Sequence, residues 1–345
     1  MKFAVFYGVP TYREDNTWLH EELSKYGETR VVDVSDFWYK IGRWHQRSKI
    51  GILLHAFMYV IHALTIIINT NKNEIIVTRD HGSSLVLAWI IKTLNIKRII
   101  IAFNWIEIPK KHYKYLAHAA FYMANYIPVV NDYRLMEKLR TGFAINKEKM
   151  LFFPDIYNTR EKFIVPRTKK ERYIFSGGTN NRDWDLLLKV ARLNSDKKFK
   201  IVVNKYCWTY KVEYIPDNVT MFYDLTEKEY YQLMKEAFIT IIPLKEDRVS
   251  GLINIIRSHQ YGVPCITNNM GVTSLYYPSK YKNIMLYTNG FDDLDKKINR
   301  IYDMKENIYI ELATDLQLFL RNEFNPQKKV GELSKQINDW LRRDG

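Results

Sequence analysis

Cysteine is scarce: two thiols, Cys207 and Cys265, in 345 residues. They stand far apart in strand-like surroundings, which excludes a disulfide framework and leaves reduced core thiols in a cytosolic setting as the expectation. Proline-rich and serine-rich tracts are missing, and 47% hydrophobic and 14% aromatic residues exclude a disordered chain. Apart from GILLHAFMYVIHALTIIIN at 51–69, no run of about 18 uncharged apolar residues occurs, and this one is interrupted by His55 and His62. A spanning helix is therefore not the favoured reading of it. The start, MKFAVFYGVPTYRED, reads as a strand that soon meets charge, without the basic, apolar and cleavage regions of a signal peptide, so the chain is expected to stay inside the cell.

Positive charge is abundant. Fifty-two Lys and Arg against 38 Asp and Glu leave +14, which favours an anionic partner: nucleic acid, a phospholipid surface or a phosphorylated small molecule. Placement favours the lipid surface. YKIGRWHQRSK at 39–49 mixes cations with Tyr39 and Trp44 and runs straight into the apolar 51–69 segment, a basic and aromatic collar beside an apolar helix. The bland alternative is a buried helix with a solvated surface turn before it.

Along the chain, short Val and Ile runs alternate with helical patterns: KFAVFYG, TRVVDVS, EIIVTRD, KRIIIAFN and YIPVVN in the first half, separated by amphipathic stretches. Near-continuous apolar strands separated by helices predict a parallel sheet covered on both faces. After a Pro-containing, charged stretch at 153–171 the pattern restarts with YIFSGG, KFKIVVN, VTMFYD, ITIIPL, PCIT and NIMLYT. The expectation is an α/β protein of two Rossmann-like doubly wound domains facing a cleft: an N-terminal domain over 1–155, a C-terminal domain over 172–325, and a helix at 326–345 returning to the N-terminal domain. At this length two cores are the natural division. Trp340 is expected to anchor that last helix in a core.

Ligands of such sheets bind beyond the carboxyl ends of strands, near helix N-termini. FSGGTNNRDW follows the first strand of the second half; Gly177 and Gly178 would let the backbone approach a phosphate, and Arg182 could pair with it, although a Gly-Gly after a strand is also an ordinary tight turn. VSGLINIIRSHQYGVPCIT offers a second such loop, where Ser250 and Gly251 open a helix whose exposed N–H groups suit a diphosphate. In the first half, TRDHGSS at 78–84 puts Asp80 and His81 between a buried strand and a helix. Asp80 there is either a carboxylate for proton transfer or a helix N-cap.

The SGG loop, the NRDW that follows it and the later SG…GVPCIT segment resemble the GT-B glycosyltransferases, and among them the family 4-like group. The resemblance spans roughly 173–270 and is only architectural over the first half. It implies a nucleotide-sugar donor held in the second domain, with Ser250 and Gly251 at its diphosphate, Asn254 where the family usually has Thr, and Lys205 and Lys245 with Arg182 as cations doing the work of a metal. The ribose-holding carboxylate, five residues before the Gly of GxPxI, falls on Arg257. A Glu there accepts from ribose hydroxyls, whereas an Arg only donates. Arg257 therefore either meets an acidic donor group or the diphosphate, or turns out of the site to a surface acid. His259 reads as structural.

By the same resemblance, Asp80 and His81 are the candidate catalytic residues, and Asn104 and Glu107 in FNWIEIPKKH lie on the acceptor side. The reaction implied is hexose-type transfer, with retention of configuration, to a lipid-linked or polysaccharide acceptor in cell-surface glycan synthesis, on the inner face of the membrane. No cofactor and no metal are expected: no HxxxH or DxD stands at a strand end, and Asp292 and Asp293 read as helix caps. Two alternatives are a non-catalytic basic protein that binds nucleotide or nucleic acid, disfavoured because its cations are scattered and no helix-turn-helix, RRM or zinc signature appears, and a sugar-nucleotide epimerase of the same architecture.

Overall fold

Strands apolar on both sides need cover on both faces, and the computed structural model supplies it twice over. It describes residues 1–7, 18–32, 49–105, 114–166, 171–178, 181–205, 208, 214–246, 249–288 and 290–344. Two compact units emerge: 1–154 with 326–345, and 155–325.

The first unit runs β1 (Lys2–Phe6), α1 (Trp18–Leu23), β2 (Glu28–Val31), α2 (Lys49–Ile68), β3 (Ile75–Thr78), α3 (His81–Thr93), β4 (Ile100–Trp105), α4 (Lys114–Phe121), β5 (Tyr126–Val130), α5 (Tyr133–Phe143) and β6 (Leu151–Phe152). The second runs β7 (Tyr173–Gly177), α6 (Trp184–Leu193), β8 (Lys198–Val203), β9 (Val219–Tyr223), α7 (Glu227–Glu236), β10 (Ile239–Ile242), α8 (Leu252–Gln260), β11 (Cys265–Asn268), α9 (Lys282–Met285), β12 (Leu286–Tyr287), α10 (Gly290–Tyr302) and α11 (Glu306–Glu323). A last helix, α12 (Pro326–Asp344), belongs to the first unit.

Both sheets are six-stranded and parallel, in the orders β2-β1-β3-β4-β5-β6 and β12-β11-β10-β7-β8-β9. Each starts with its first strand inside the sheet and grows in both directions from it. The order therefore reverses beside β1 in one unit and beside β7 in the other, at the β1/β3 and β7/β10 junctions. Such reversals leave a crevice at the carboxyl ends of the strands. Every residue of β3, β5, β7, β10 and β11 is buried, and each large aliphatic side chain so buried contributes about 1.5–3 kcal/mol.

Local sequence closes the helices. Asp132 caps α5 by accepting from Arg134 N, Asp183 caps α6 by accepting from Leu186 N, and Thr226 with Glu229 forms a reciprocal capping box on α7. Right-handed crossovers put α2, α3 and α4, whose connections all run the same way across the first sheet, on one face of it. There α3 packs between α2 and α4, while α1 packs with α12.

Several elements differ from the sequence reading. KMLFF yields a sixth strand, β6, too short to show a pattern. Its edge is closed by Gln336 of α12, which donates to Phe152 O at 3.3 Å and accepts from Phe152 N at 3.2 Å, as a neighbouring strand would. Trp340, 4% exposed, does anchor α12. NIMLYT divides into the short helix α9 and a two-residue strand. The stretch 155–166 packs on the second core instead of standing apart: Tyr157 is buried in it, Gln260 Nε2 donates to Asn158 O at 2.9 Å and to Glu161 O at 2.6 Å, and Ile164 N donates to Gln260 O at 3.1 Å. Cys265 is a buried free thiol, its pKa pushed up to about 12 by burial; Cys207 lies outside the described residues.

The apolar 51–69 run lies within α2, built into the first unit. Met58, His62, Ala63 and Ile66 are buried, and His62 Nδ1 meets Ser83 Oγ of α3 at 3.1 Å. Among the described residues, no helix is long and apolar enough to cross a membrane. The collar at 39–48 lies outside the described residues.

Candidate functional site

The crevice at the β7/β10 junction gathers six of the residues singled out from sequence. β7 ends in Gly177, whose carbonyl oxygen accepts from Arg182 Nε at 2.9 Å and from Asn254 Nδ2 at 3.2 Å. The Arg182 guanidinium reaches on to Ser250, with Nη1 3.4 Å from Oγ. Gly178 has φ +118°, and a Cβ there would stand 2.6 Å from Arg182 Nη2. Gly251 has φ +75° and is the N-cap of α8, with no side chain closing the helix end; a Cβ there would stand 2.7 Å from Ile242 Cγ2 and 3.5 Å from Arg182. Both glycines are thus required twice, by left-handed backbone and by the side chain that lies against each, the Arg182 guanidinium at Gly178 and Ile242 at Gly251.

The first N–H groups of α8 have no side-chain cap, and they carry the positive end of the helix dipole. Arg182 is 9% exposed, and burial lowers its pKa from the usual value, yet a guanidinium stays charged at neutral pH. A cation in a low-dielectric setting, beside an open helix N-terminus and two surfaces of bare backbone, is built to receive an anion with several oxygens.

Residues the sequence reading passed over hold this arrangement in place. Tyr230 of α7 fills the space beside Gly177, where a Cβ would meet its ring at 2.6 Å, and its hydroxyl accepts from Asn254 Nδ2 at 2.8 Å. Burial raises the Tyr230 pKa, so the hydroxyl stays protonated. Asn181, with φ 56°, ties the Arg182 loop to the loop after β10: Oδ1 accepts from Glu246 N at 2.9 Å, Nδ2 donates to Glu246 O at 2.8 Å, and its carbonyl accepts from Lys245 N at 3.2 Å. Asn268 at the end of β11 grips Leu244 in the same two-way fashion, at 2.6 and 2.9 Å, and accepts from Tyr287 Oη at 2.7 Å. Asparagine beside a left-handed turn is a local signal that could have found Asn181; nothing local marks Tyr230 or Asn268.

The side chains of three other candidate residues take no part in these contacts. Lys205 and Lys245 have exposed side chains, and Lys205 N donates to Asp224 Oδ1 at 3.1 Å. Arg257, one turn beyond Asn254, is 7% exposed; its guanidinium carbon stands 5.2 Å from the Tyr231 ring centre, and Nη1 donates to Gln260 Oε1 at 3.3 Å. A ring face and an amide, in place of a surface acid, are what this cation meets. His259 is fully buried, edge-on to Tyr277 at 5.1 Å, and neither ring nitrogen has a hydrogen-bond partner. Burial pushes its pKa down to about 3, so it packs as a neutral ring.

In the first unit, Asp80 follows β3 beside the β1/β3 reversal and caps α3. Oδ1 accepts from Gly82 N at 3.3 Å, and Oδ2 accepts from Ser83 N at 2.9 Å and Ser83 Oγ at 2.5 Å. The polar chain continues through Ser83 Oγ to His62 of α2. A Cβ at Gly82 would meet the Tyr59 ring at 2.3 Å, so the turn needs glycine for space. The side chains of His81 and Asn104, and all of Glu107, lie outside the described residues. Among the described residues, no group of three or more His, Cys, Asp or Glu could hold a metal ion.

No protein-family model matches the chain, and no curated protein matches it in sequence. Solved structures do match in shape. HepE of Anabaena, solved with UDP and glucose and also with UDP-glucose, is 11% identical with a TM-score of 0.67, covering 98% of this chain and 100% of its own. An α,α-trehalose-phosphate synthase (UDP-forming) from Burkholderia vietnamiensis is 9% identical with a TM-score of 0.66, covering 98% and 100%. A glycosyltransferase from Rickettsia africae is 13% identical with a TM-score of 0.65, covering 99% of each chain. With two parallel Rossmann-like sheets and near-complete coverage by these structures, the chain has the fold of the GT-B glycosyltransferases.

Proposed function

We propose that this protein is a glycosyltransferase that moves a sugar from a nucleotide-sugar donor to a lipid-linked or polysaccharide acceptor, with retention, in cell-surface glycan synthesis. The observation that carries this reading is the anion cradle at the β7/β10 reversal: buried Arg182 against Gly178, Ser250 and Gly251, at the uncapped N-terminus of α8. A diphosphate fits its chemistry, because charge leaving with the nucleotide would be met by a fixed cation and oriented N–H groups without a divalent ion. Structures of the same fold that hold UDP or UDP-glucose support it.

Thermal unfolding with a panel of nucleotides and nucleotide-sugars, with and without EDTA, tests the reading. The matching donor at a hundred times its Kd stabilises by about 2.7 kcal/mol. Ser250→Ala is expected to weaken UDP binding about three- to tenfold with unchanged unfolding of the unliganded protein, since it removes one polar contact at the surface of the cradle. No stabilisation by any nucleotide would end the assignment. A loss of stabilisation with EDTA would show that a metal serves the diphosphate after all. One observation favours a second reading, nucleotide binding without transfer: both carboxylate oxygens of Asp80 are engaged in capping α3. Donor-induced stabilisation with no hydrolysis or transfer would support that reading.

A further inference from the structure

From Phe57 to Ile68 the outward stripe of α2 is apolar. Between residues 50 and 68 the helix carries no Lys, Arg, Asp or Glu, so nothing charged separates its exposed side from its buried one. Leu64 is 43% and Ile68 79% exposed, Phe57 is 52% exposed, and Val60 and Ile61 are partly exposed between them. The spacing 57, 60/61, 64, 68 places these on one stripe, extending roughly 16 Å along the helix. The opposite face is committed to the core through Met58, His62, Ala63 and Ile66. The neighbouring helices of the same layer add Trp89 of α3, 49% exposed, and Tyr115 of α4, 85% exposed.

Charge around this layer is one-sided. Residues 40–125 hold twelve Lys and Arg against three acids, Glu74, Asp80 and Glu107, and so carry nine of the fourteen excess charges in a quarter of the chain. Of those acids, Glu74 is buried against Arg30 and Asp80 caps α3. The basic residues concentrate in sequence just before α2, in YKIGRWHQRSK, and just before α4, in PKKHYK. Helices of one parallel βαβ layer run the same way, so the N-termini of α2 and α4 lie at the same edge of the sheet.

From the exposed stripe and this asymmetry we propose that the α2 face of the first unit docks on a lipid bilayer rich in anionic headgroups, with Leu64 and Ile68 entering the headgroup–acyl boundary. A helix apolar on its outer side and flanked by cations is the interfacial pattern. Its inner side is held by the sheet, so α2 lies in the interface and does not leave the domain. A second copy of the chain fits the face less well, because pairing would set two copies of a segment with nine excess positive charges against each other. The inference goes beyond the enzymatic reading and does not depend on it.

Co-sedimentation of the full chain with large unilamellar vesicles of phosphatidylcholine, with or without 30% phosphatidylglycerol (roughly the range in which anionic lipid sets the surface potential), tests it. Binding to the anionic vesicles, released by salt, is expected. The triple variant Phe57→Gln, Leu64→Gln, Ile68→Gln is expected to lose about tenfold or more in partitioning. The variant with Lys40, Arg43, Arg47 and Lys49 changed to Gln is expected to lose on the order of a thousandfold. The circular dichroism spectrum and thermal midpoint of the unliganded protein, read without vesicles, are expected to stay unchanged in both variants, which confirms folding by a readout that does not involve the donor site. A native chain that stays in the supernatant with anionic vesicles would overturn the proposal, as would a triple variant that sediments like the native chain. So would a concentration-dependent dimer, seen by sedimentation velocity and abolished in the triple variant, which would give the face to a second copy.

Discussion

Gly251 is where the demands of the fold and of the site coincide, and its replacement can be worked through in numbers. In Gly251→Ala the backbone keeps φ +75°, a left-handed conformation that costs an L-residue about 1 kcal/mol. The new Cβ would also stand 2.7 Å from Cγ2 of the fully buried Ile242. Overpacking of this kind costs about 1–3 kcal/mol. The expected loss is therefore about 2–4 kcal/mol, against a total stability on the order of 5–15 kcal/mol. Two other glycines separate the contributions. Gly290 has φ +68° with nothing within 4 Å of a Cβ, so Gly290→Ala should lose only the backbone part, about 1 kcal/mol. Gly142, in α5, has neither a left-handed φ nor a neighbour, and Gly142→Ala should be neutral or stabilise by up to about 1 kcal/mol. Urea unfolding followed by circular dichroism gives the three midpoints, and UDP titration gives the second readout, where Gly251→Ala should bind worst because the shift that relieves its clash with Ile242 displaces the N-terminus of α8 at the cradle. If Gly251→Ala unfolds no more easily than Gly290→Ala, the close-packing argument at the cradle is wrong.

Asp80→Asn keeps one of the two acceptor oxygens that cap α3 and should lose less stability than Asp80→Ala, which should lose about 1 kcal/mol. A catalytic role further requires Asp80→Asn to lose about a hundredfold or more in turnover with donor affinity retained, and normal turnover would leave it a cap alone. His259 has a folded pKa of about 3, below the ordinary 6.5, so the folded state keeps it neutral while the unfolded chain takes up a proton below about pH 6.5. Its contribution is complete above that pH and is lost progressively down to about 3. Native protein should thus lose stability more steeply across this window than His259→Phe, and equal slopes would refute the buried neutral ring. If Arg257 meets the donor, Arg257→Glu should lower donor affinity by about 2 kcal/mol or more and Arg257→Met by less; equal, small effects would leave it to Tyr231 and Gln260 alone.

Periodicity and punctuation made most of the fold legible. EIIVT, YIPVV and ITII are apolar on both sides, and only a covered parallel sheet tolerates that. The loop glycines were legible for a similar reason: Gly178 and Gly251 follow strands and precede helices, and both prove to have left-handed φ. What could not be read was anything made by residues distant in sequence. Arg182 touches Ser250, Tyr230 fills the space of Gly177, Asn268 clamps Leu244, and Gln336 closes the edge of β6, pairings set by strand order and not by local pattern. The same holds for α2, whose sequence is apolar all round. Composition shows that the helix can be buried, but only packing against the sheet decided that Met58, His62 and Ile66 face the core and that Leu64 and Ile68 face outward, because which side of a uniformly apolar helix is covered depends on where its neighbours stand.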